Sequence, residues 1–297
     1  KEGYEYVRYK IDTPKGALRS FVKLYPELFG AEWKIEPFVK DDSDLEKFLS
    51  IPYRPFKPDP KPYHDWKRRL GEKGVVLHAV ATPIYLPAFL MKLDKFLITC
   101  MRKPDLIKEI ERVAVERVSN YIEYLSKIGV DIFWLIGSEF LSATMAHPKL
   151  YEDLVLPYDR KVVDAIHDAG AIAYIHMHGK VGEMLEKISD TGTDVLDPLE
   201  PPPRGSIDLA DAKRRIGDRV CLVGNIDQVG ILGQRDLKIV EKKCMECIRS
   251  AAEGGGYVMM GTGPLGEVRP SIPYENIRTM IKTARDRGKY PLDRSLL

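Results

Sequence analysis

From Gly74 onward the chain repeats one pattern: a short apolar run, a polar or glycine-bearing link, then a segment with helical periodicity. The apolar runs are 75–80, 131–136, 171–175, 194–196, 220–225 and 257–260. Helical periodicity covers 86–129, with a break at Lys103-Pro104, then 147–168, 181–191, 208–216, 237–253 and 274–287. Short apolar runs separated by helices read as strands buried in a parallel sheet. Parallel neighbours need a crossover connection, and a helix supplies it. Six such units, with no G-x-G-x-x-G or Walker sequence, predict an α/β fold of the (β/α)8 TIM barrel type rather than a doubly wound sheet. The chain opens on Lys1 rather than Met, which leaves room for a preceding segment.

Residues 1–73 read differently, as an N-terminal extension. Alternation over Tyr4–Tyr9, the turn residues Asp12-Thr13-Pro14-Lys15-Gly16 and an extended run from Ala17 to Leu24 predict a β-hairpin. Asp41 to Phe48 has acids first and then Leu45 and Phe48 on one face, a short capped helix. Pro52, Pro55, Pro58, Pro60 and Pro62 make 52–63 an extended connection. This extension and a barrel over 74–297 are expected to form one domain, within the size range of a large α/β barrel.

Several function classes drop out. With a formal net charge of +2 and no basic block interleaved with aromatics, the chain carries no nucleic-acid footprint. Its apolar runs are too short and interrupted to cross a bilayer, and no cleavable signal opens it, so a cytoplasmic protein is expected. Cys100, Cys221, Cys244 and Cys247 do not make a disulfide scaffold. Cys244 and Cys247 form a C-x-x-C inside a helical stretch with no answering Cys/His pair, and read as partly buried helix residues.

The chemistry gathers at strand ends. In Tyr174-Ile175-His176-Met177-His178-Gly179 the two histidines are two apart, so on a strand their imidazoles share a face. They stand at the carboxyl end of a predicted strand, where parallel α/β folds place their sites. Such a pair can bind a metal, hold a substrate carboxylate or satisfy buried hydrogen bonds. The other polar clusters fall in the same place: Ser138 and Glu139, Asp197 and Glu200, Asn225 and Asp227, and Thr262. In a barrel those loops converge on one mouth. With Glu139 or Glu200 as the carboxylate, His176 and His178 would make a three-ligand site with an open position, suited to zinc or ferrous iron. Glu139 could equally serve as a helix cap, Glu200 as a turn residue, and Asp227 as the cap of the segment that follows it. Ser138, Asn225, Asp227 and Thr262 are candidates to contact substrate. His78 faces either the lumen or the helices; His64, His147 and His167 read as structural. Arg269 follows a glycine-rich turn, where it is either a solvent-exposed residue or an anion contact.

The motif order resembles the uroporphyrinogen decarboxylase superfamily, in particular its corrinoid-dependent methyltransferase branch. Ile11-Asp12-Thr13-Pro14-Lys15-Gly16-Ala17-Leu18 is similar to the family's T-P-x-G-x-L segment, and Leu150–Tyr158 to the helix before its metal strand. His176-Met177-His178-Gly179 stands in the place of H-x-C-G, and Gly224-Asn225-Ile226-Asp227 resembles G-N-x-D. Gly261-Thr262-Gly263 and Pro273-Tyr274-Glu275-Asn276-Ile277 resemble the closing G-C-G and P-x-E-N-I. The resemblance implies a barrel with its site at the mouth. It also implies a zinc or other divalent metal ion, and methyl transfer to or from the cobalt of a separate corrinoid protein. His178 and Thr262 replace the family's two zinc cysteines, which puts the third ligand in question and makes the donor set harder. A harder site suits an oxygen-bearing substrate, so a small methylated donor of the methoxy type is expected, with an O-demethylase activity. The rivals are a metal-free decarboxylase or lyase, although the decarboxylases' N-terminal arginine and aspartate region is not recognisable here, a metal-dependent hydrolase, and a non-catalytic binder that keeps only the fold.

Overall fold

The computed structural model describes residues 5–25, 31–234, 236–263 and 272–293. Strands β1 (Glu5–Thr13) and β2 (Gly16–Tyr25) form the expected hairpin, with Thr13 paired to Gly16 across the turn. Gly16 takes φ +120°, a conformation glycine adopts without strain. The extension goes further than a hairpin: β3 (Ala31–Glu36) adds a third antiparallel strand beside β2. Helix α1 (Asp42–Leu49) packs on this sheet, capped by the Asp41 side chain on the Asp44 amide, with Leu45 and Phe48 buried as their spacing predicts.

The proline-rich stretch is non-helical only as far as Pro60. Helix α2 (Lys61–Leu70) begins inside it, because proline in the first turn costs a helix no hydrogen bond. Tyr63 and Lys67 of α2 both reach Asp131, at 3.0 and 2.7 Å, and so tie the extension to the start of the second barrel strand.

The barrel wall follows as β4 (His78–Ala81), α3 (Tyr85–Leu90), α4 (Leu93–Arg102), α5 (Pro104–Lys127) and β5 (Ile132–Ile136). It continues with α6 (Pro148–Leu154), α7 (Leu156–Asp168), β6 (Ile172–His176), α8 (Leu185–Ser189) and β7 (Val195–Asp197). It ends with α9 (Leu209–Ile216), β8 (Cys221–Ile226), α10 (Leu237–Ala251), β9 (Tyr257–Gly261) and α11 (Tyr274–Arg287). All six strands are parallel and lie in chain order, the sequence of staves in a (β/α) barrel. The described residues supply the six staves read from the sequence, and the chain before Gly74 builds an antiparallel sheet instead of βα units.

Two other boundaries moved. The first barrel strand starts at His78 rather than Val75, and Val75 is 69% exposed, since β4 is the edge of the described sheet with only β5 beside it. The helix expected over 147–168 is two, meeting at Val155, because Pro157 has no amide to continue the ladder and starts a new first turn. Phe133, Leu135, Ala173, Ile175, Leu196 and Leu222 form the strand side of the core, all at most 1% exposed. Cys244 and Cys247 lie buried on α10 as read from sequence, and burial pushes the Cys244 thiol up to about 12. Among the described residues no helix is long and apolar enough to cross a membrane.

Candidate active site

The strand register assembles the site. Ile136, His176 and Asp197 are aligned across β5, β6 and β7, and paired residues of parallel strands project to the same face. His176 Nδ1 therefore meets Asp197 Oδ1 at 3.0 Å, and the Trp134 indole Nε1 donates to the same oxygen at 3.2 Å. Asp197 is 3% exposed, so this carboxylate is held by its partners rather than by water.

Two residues on, His178 projects beside His176, as the spacing predicts: the ring centroids are 4.5 Å apart and nearly perpendicular. Met177 between them is fully buried on the opposite side. His178 Nδ1 lies 3.1 Å from Glu200 Oε1, while the Gly179 amide donates to Glu200 Oε2 at 2.7 Å. One carboxylate thus clamps both the ring and the turn. Gly179 has φ +94°, and a Cβ there would collide with the Thr144 hydroxyl, so only glycine fits. The Glu200 hydrogen bond raises the pKa of His178 against an opposing effect of burial. Burial alone would raise the Glu200 carboxyl, but bonds from His178 and the Gly179 amide bring it below its ordinary value.

A carboxylate can only accept, so each Nδ1 carries the proton and each neutral imidazole keeps its lone pair on Nε2. A ligating histidine with a carboxylate behind its other nitrogen is the arrangement metal sites use to fix tautomer and ring direction. The donor set therefore fits two positions of a zinc or ferrous site. Glu200 stands behind His178, against its Nδ1, rather than beside its Nε2. Among the described residues no three His, Cys, Asp or Glu side chains are gathered closely enough to hold a metal ion. Glu139 lies in the short turn after β5, where its Oε2 accepts from the Gly137 amide at 2.9 Å, and its charge is felt at His178.

The other candidates are brought to strand ends, but not all to the mouth. Ser138 is fully buried, and its Oγ donates to Asp159 Oδ2 on α7 at 2.6 Å, away from the histidines. The Asn225 amide is buried, with its Oδ1 3.6 Å from Cys247 Sγ on α10. Thr262 Oγ1 accepts from the Gln228 amide, which joins the ends of β8 and β9. Asp227 caps its own turn through the Val229 amide and pairs with Arg204 at 2.9 Å, linking two rim loops. The contacts named here are with the scaffold; Ser138, Asp227 and Thr262 lie past strand ends, where the turn and not the period of two sets direction, whereas Asn225 lies within β8. His78 faces the helices, 3.3 Å from the Tyr121 hydroxyl, and His147 and His167 take local caps and pairs. Arg269 lies outside the described residues.

Trp134 was not singled out from sequence, and Asp197 was grouped with Glu200 at its strand end without being given His176 as a partner. The signal was there: a carboxylate at the end of the strand after the histidine strand meets it if the two strands pair end to end. Behind Ser138, Asp159 is fully buried with Oδ1 unpartnered, and burial pushes its carboxyl up to about 7. Glu111 on α5 is equally buried, neither of its oxygens has a partner, and burial raises it well above the usual range.

Parallel strands in barrel order, with acid and imidazole groups gathered at their carboxyl ends, define a barrel protein with a candidate site at the mouth. The sequence profile described as uroporphyrinogen decarboxylase (URO-D) matches residues 66–287, and the chain belongs to that family. The uroporphyrinogen decarboxylase of Trichodesmium erythraeum is 24% identical over 268 residues, covering 85% of this chain and 70% of that protein. Its counterpart from Synechocystis sp. is 26% identical over 229 residues, covering 74% of this chain and 61% of that protein. Among solved structures, a methyltransferase from Methanosarcina mazei shares the fold, with a TM-score of 0.61 at 17% identity over 74% of this chain and 61% of that one. The chain thus spans 61–70% of the length of these two curated relatives.

Proposed function

We propose that the protein is a metal-dependent methyltransferase that moves a methyl group from a small methoxy-type donor to a corrinoid protein. One observation carries this reading: two adjacent imidazoles, each with Nδ1 engaged by its own carboxylate, present two Nε2 lone pairs at the barrel mouth. His176 and His178 would hold the ion, and Glu139 is the rim carboxylate proposed to complete the set. A bound zinc or ferrous ion would act as a Lewis acid toward the ether oxygen of the donor. Asp197 fixes the His176 ring with help from Trp134, and Glu200 fixes the His178 ring through the Gly179 turn. Oxygen and nitrogen donors in place of thiolates favour such an oxygen substrate over activation of a thiol. The name carried by the Methanosarcina mazei neighbour accords with this reading, although that likeness rests on fold.

The names of the sequence relatives favour a second reading, decarboxylation of uroporphyrinogen without a metal. Elemental analysis of purified protein, followed by methyl transfer to a reduced corrinoid protein across methoxy donors, separates the two. Methyl transfer abolished by a chelator and restored by metal supports the first. Uroporphyrinogen decarboxylation that is indifferent to chelator, without methyl transfer, overturns it.

A further inference from the structure

The turn after β5 is gripped on both sides of Glu139. On one side Ser138, fully buried, sends its hydroxyl to Asp159 Oδ2 at 2.6 Å. On the other, Phe140 packs edge-on against Tyr85 of α3 and Phe96 of α4, with ring centroids 5.9 and 6.3 Å apart. Ahead of them the Gly137 amide donates to Glu139 Oε2 at 2.9 Å, from a backbone at φ +120° where Tyr85 leaves no room for a Cβ. Glu139 itself is half-buried, and its charge is felt at both Asp159 and His178. A carboxylate set between two anchored neighbours takes its direction from them.

Asp159 is a costly residue to bury. It stands in the first turn of α7, where the helix dipole favours an acid. It is fully buried, and so are Glu111 of α5 and Tyr151 of α6. Asp159 Oδ1, both Glu111 oxygens and the Tyr151 hydroxyl have no hydrogen-bond partner, and the charge of Asp159 reaches both neighbours. Apolar side chains would fill this layer of helices without that penalty. Chains keep such violations where a site depends on them. What Asp159 does that a leucine could not is accept the Ser138 hydroxyl, in a buried layer where such a bond is strong.

We propose that Asp159 is a positioning residue for Glu139: acting through the Ser138 hydroxyl, it holds the turn after β5 so that the Glu139 carboxylate stays on the Gly137 amide, within electrostatic reach of His178. The consequence for a bound metal rests on the reading above, whereas the positioning does not.

The test is amide exchange by NMR on purified protein labelled at glycine. The Gly137 amide reads the Glu139 contact, and the Gly170 amide, bonded to the His167 carbonyl past the end of α7, reads the helix. Ser138→Ala and Asp159→Ala should each speed exchange at Gly137 by about tenfold while Gly170 keeps its wild-type rate. Asp159→Asn, which keeps an acceptor for the hydroxyl, should leave Gly137 near the wild-type rate. Gly137 unchanged in Ser138→Ala, Gly170 loosened as much as Gly137, or Asp159→Asn as fast as Asp159→Ala overturns the assignment. Zinc affinity, by competition with a chelating dye, is the second arm. Ser138→Ala should lower it by about tenfold in the wild type and leave it unchanged in a Glu139→Gln background. Faster Gly137 exchange in a protein that takes up no zinc upholds the positioning and refutes the metal reading. Zinc binding weakened by Glu139→Gln but not by Ser138→Ala, with Gly137 at the wild-type rate, does the reverse.

Discussion

Asp159→Asn is expected to flatten the pH dependence of stability. Complete burial raises this carboxyl from 3.8 to about 7, outweighing the hydrogen bond from Ser138 that works the other way. Between those two values the folded protein keeps a proton that the unfolded chain has released, so stability falls by about 1.4 kcal/mol for each unit of rising pH. The loss sets in where the unfolded carboxyl ionises and levels off above the folded value. Between about pH 5 and about pH 8 it amounts to about 2.5 kcal/mol. Asparagine has the same shape, keeps an oxygen for the Ser138 hydroxyl and has no charge to bury. Glu111, raised by the same cause, adds a slope of the same sign to both proteins, so the difference between them is what is read. Urea unfolding followed by fluorescence and circular dichroism at both ends of that interval measures it. The variant should gain about 2.5 kcal/mol on wild type as pH rises across it. A variant as pH-sensitive as the wild type would show that the interior carboxyl is not the proton's holder, and the inference from its burial would be wrong.

Four further outcomes are expected. His176→Ala should abolish metal binding; full occupancy in that variant would remove His176 from the ligand set. Glu200→Gln, which weakens the support of His178 Nδ1, should lower metal affinity by about 10- to 100-fold in competition with a chelating dye, and unchanged affinity would mean the carboxylate orients nothing. Glu139→Gln should cut turnover far more than it shifts the melting temperature; wild-type rates would make it a residue of the turn alone. Asn276→Ala should destabilise by about 1–3 kcal/mol in denaturant titration. Its buried amide donates to the Leu232 and Gln234 carbonyls at 2.7 and 2.6 Å, and an unchanged midpoint would contradict that structural role for the closing motif.

Local periodicity carried much of the architecture. Apolar runs over 131–136 and 220–225 became β5 and β8 within a residue or two, and Asp41 with Leu45 and Phe48 placed α1. The pairing of His176 with His178 was equally legible, because the alternation of a strand is fixed by the covalent geometry of the backbone. The third strand of the extension and the helix inside the proline-rich stretch were missed. In those places neighbours, Phe21 to Tyr25 for β3 and Asp131 for α2, hold a conformation that the local signal leaves open. What only the tertiary structure decided is the company each side chain keeps. Asp197 came to His176 through the alignment of two strands, and Ser138, past the end of β5, was turned toward α7. A sequence fixes spacing along one chain, whereas a side chain past a strand end points where the packing of its turn sends it, and that packing comes from residues far away in the chain.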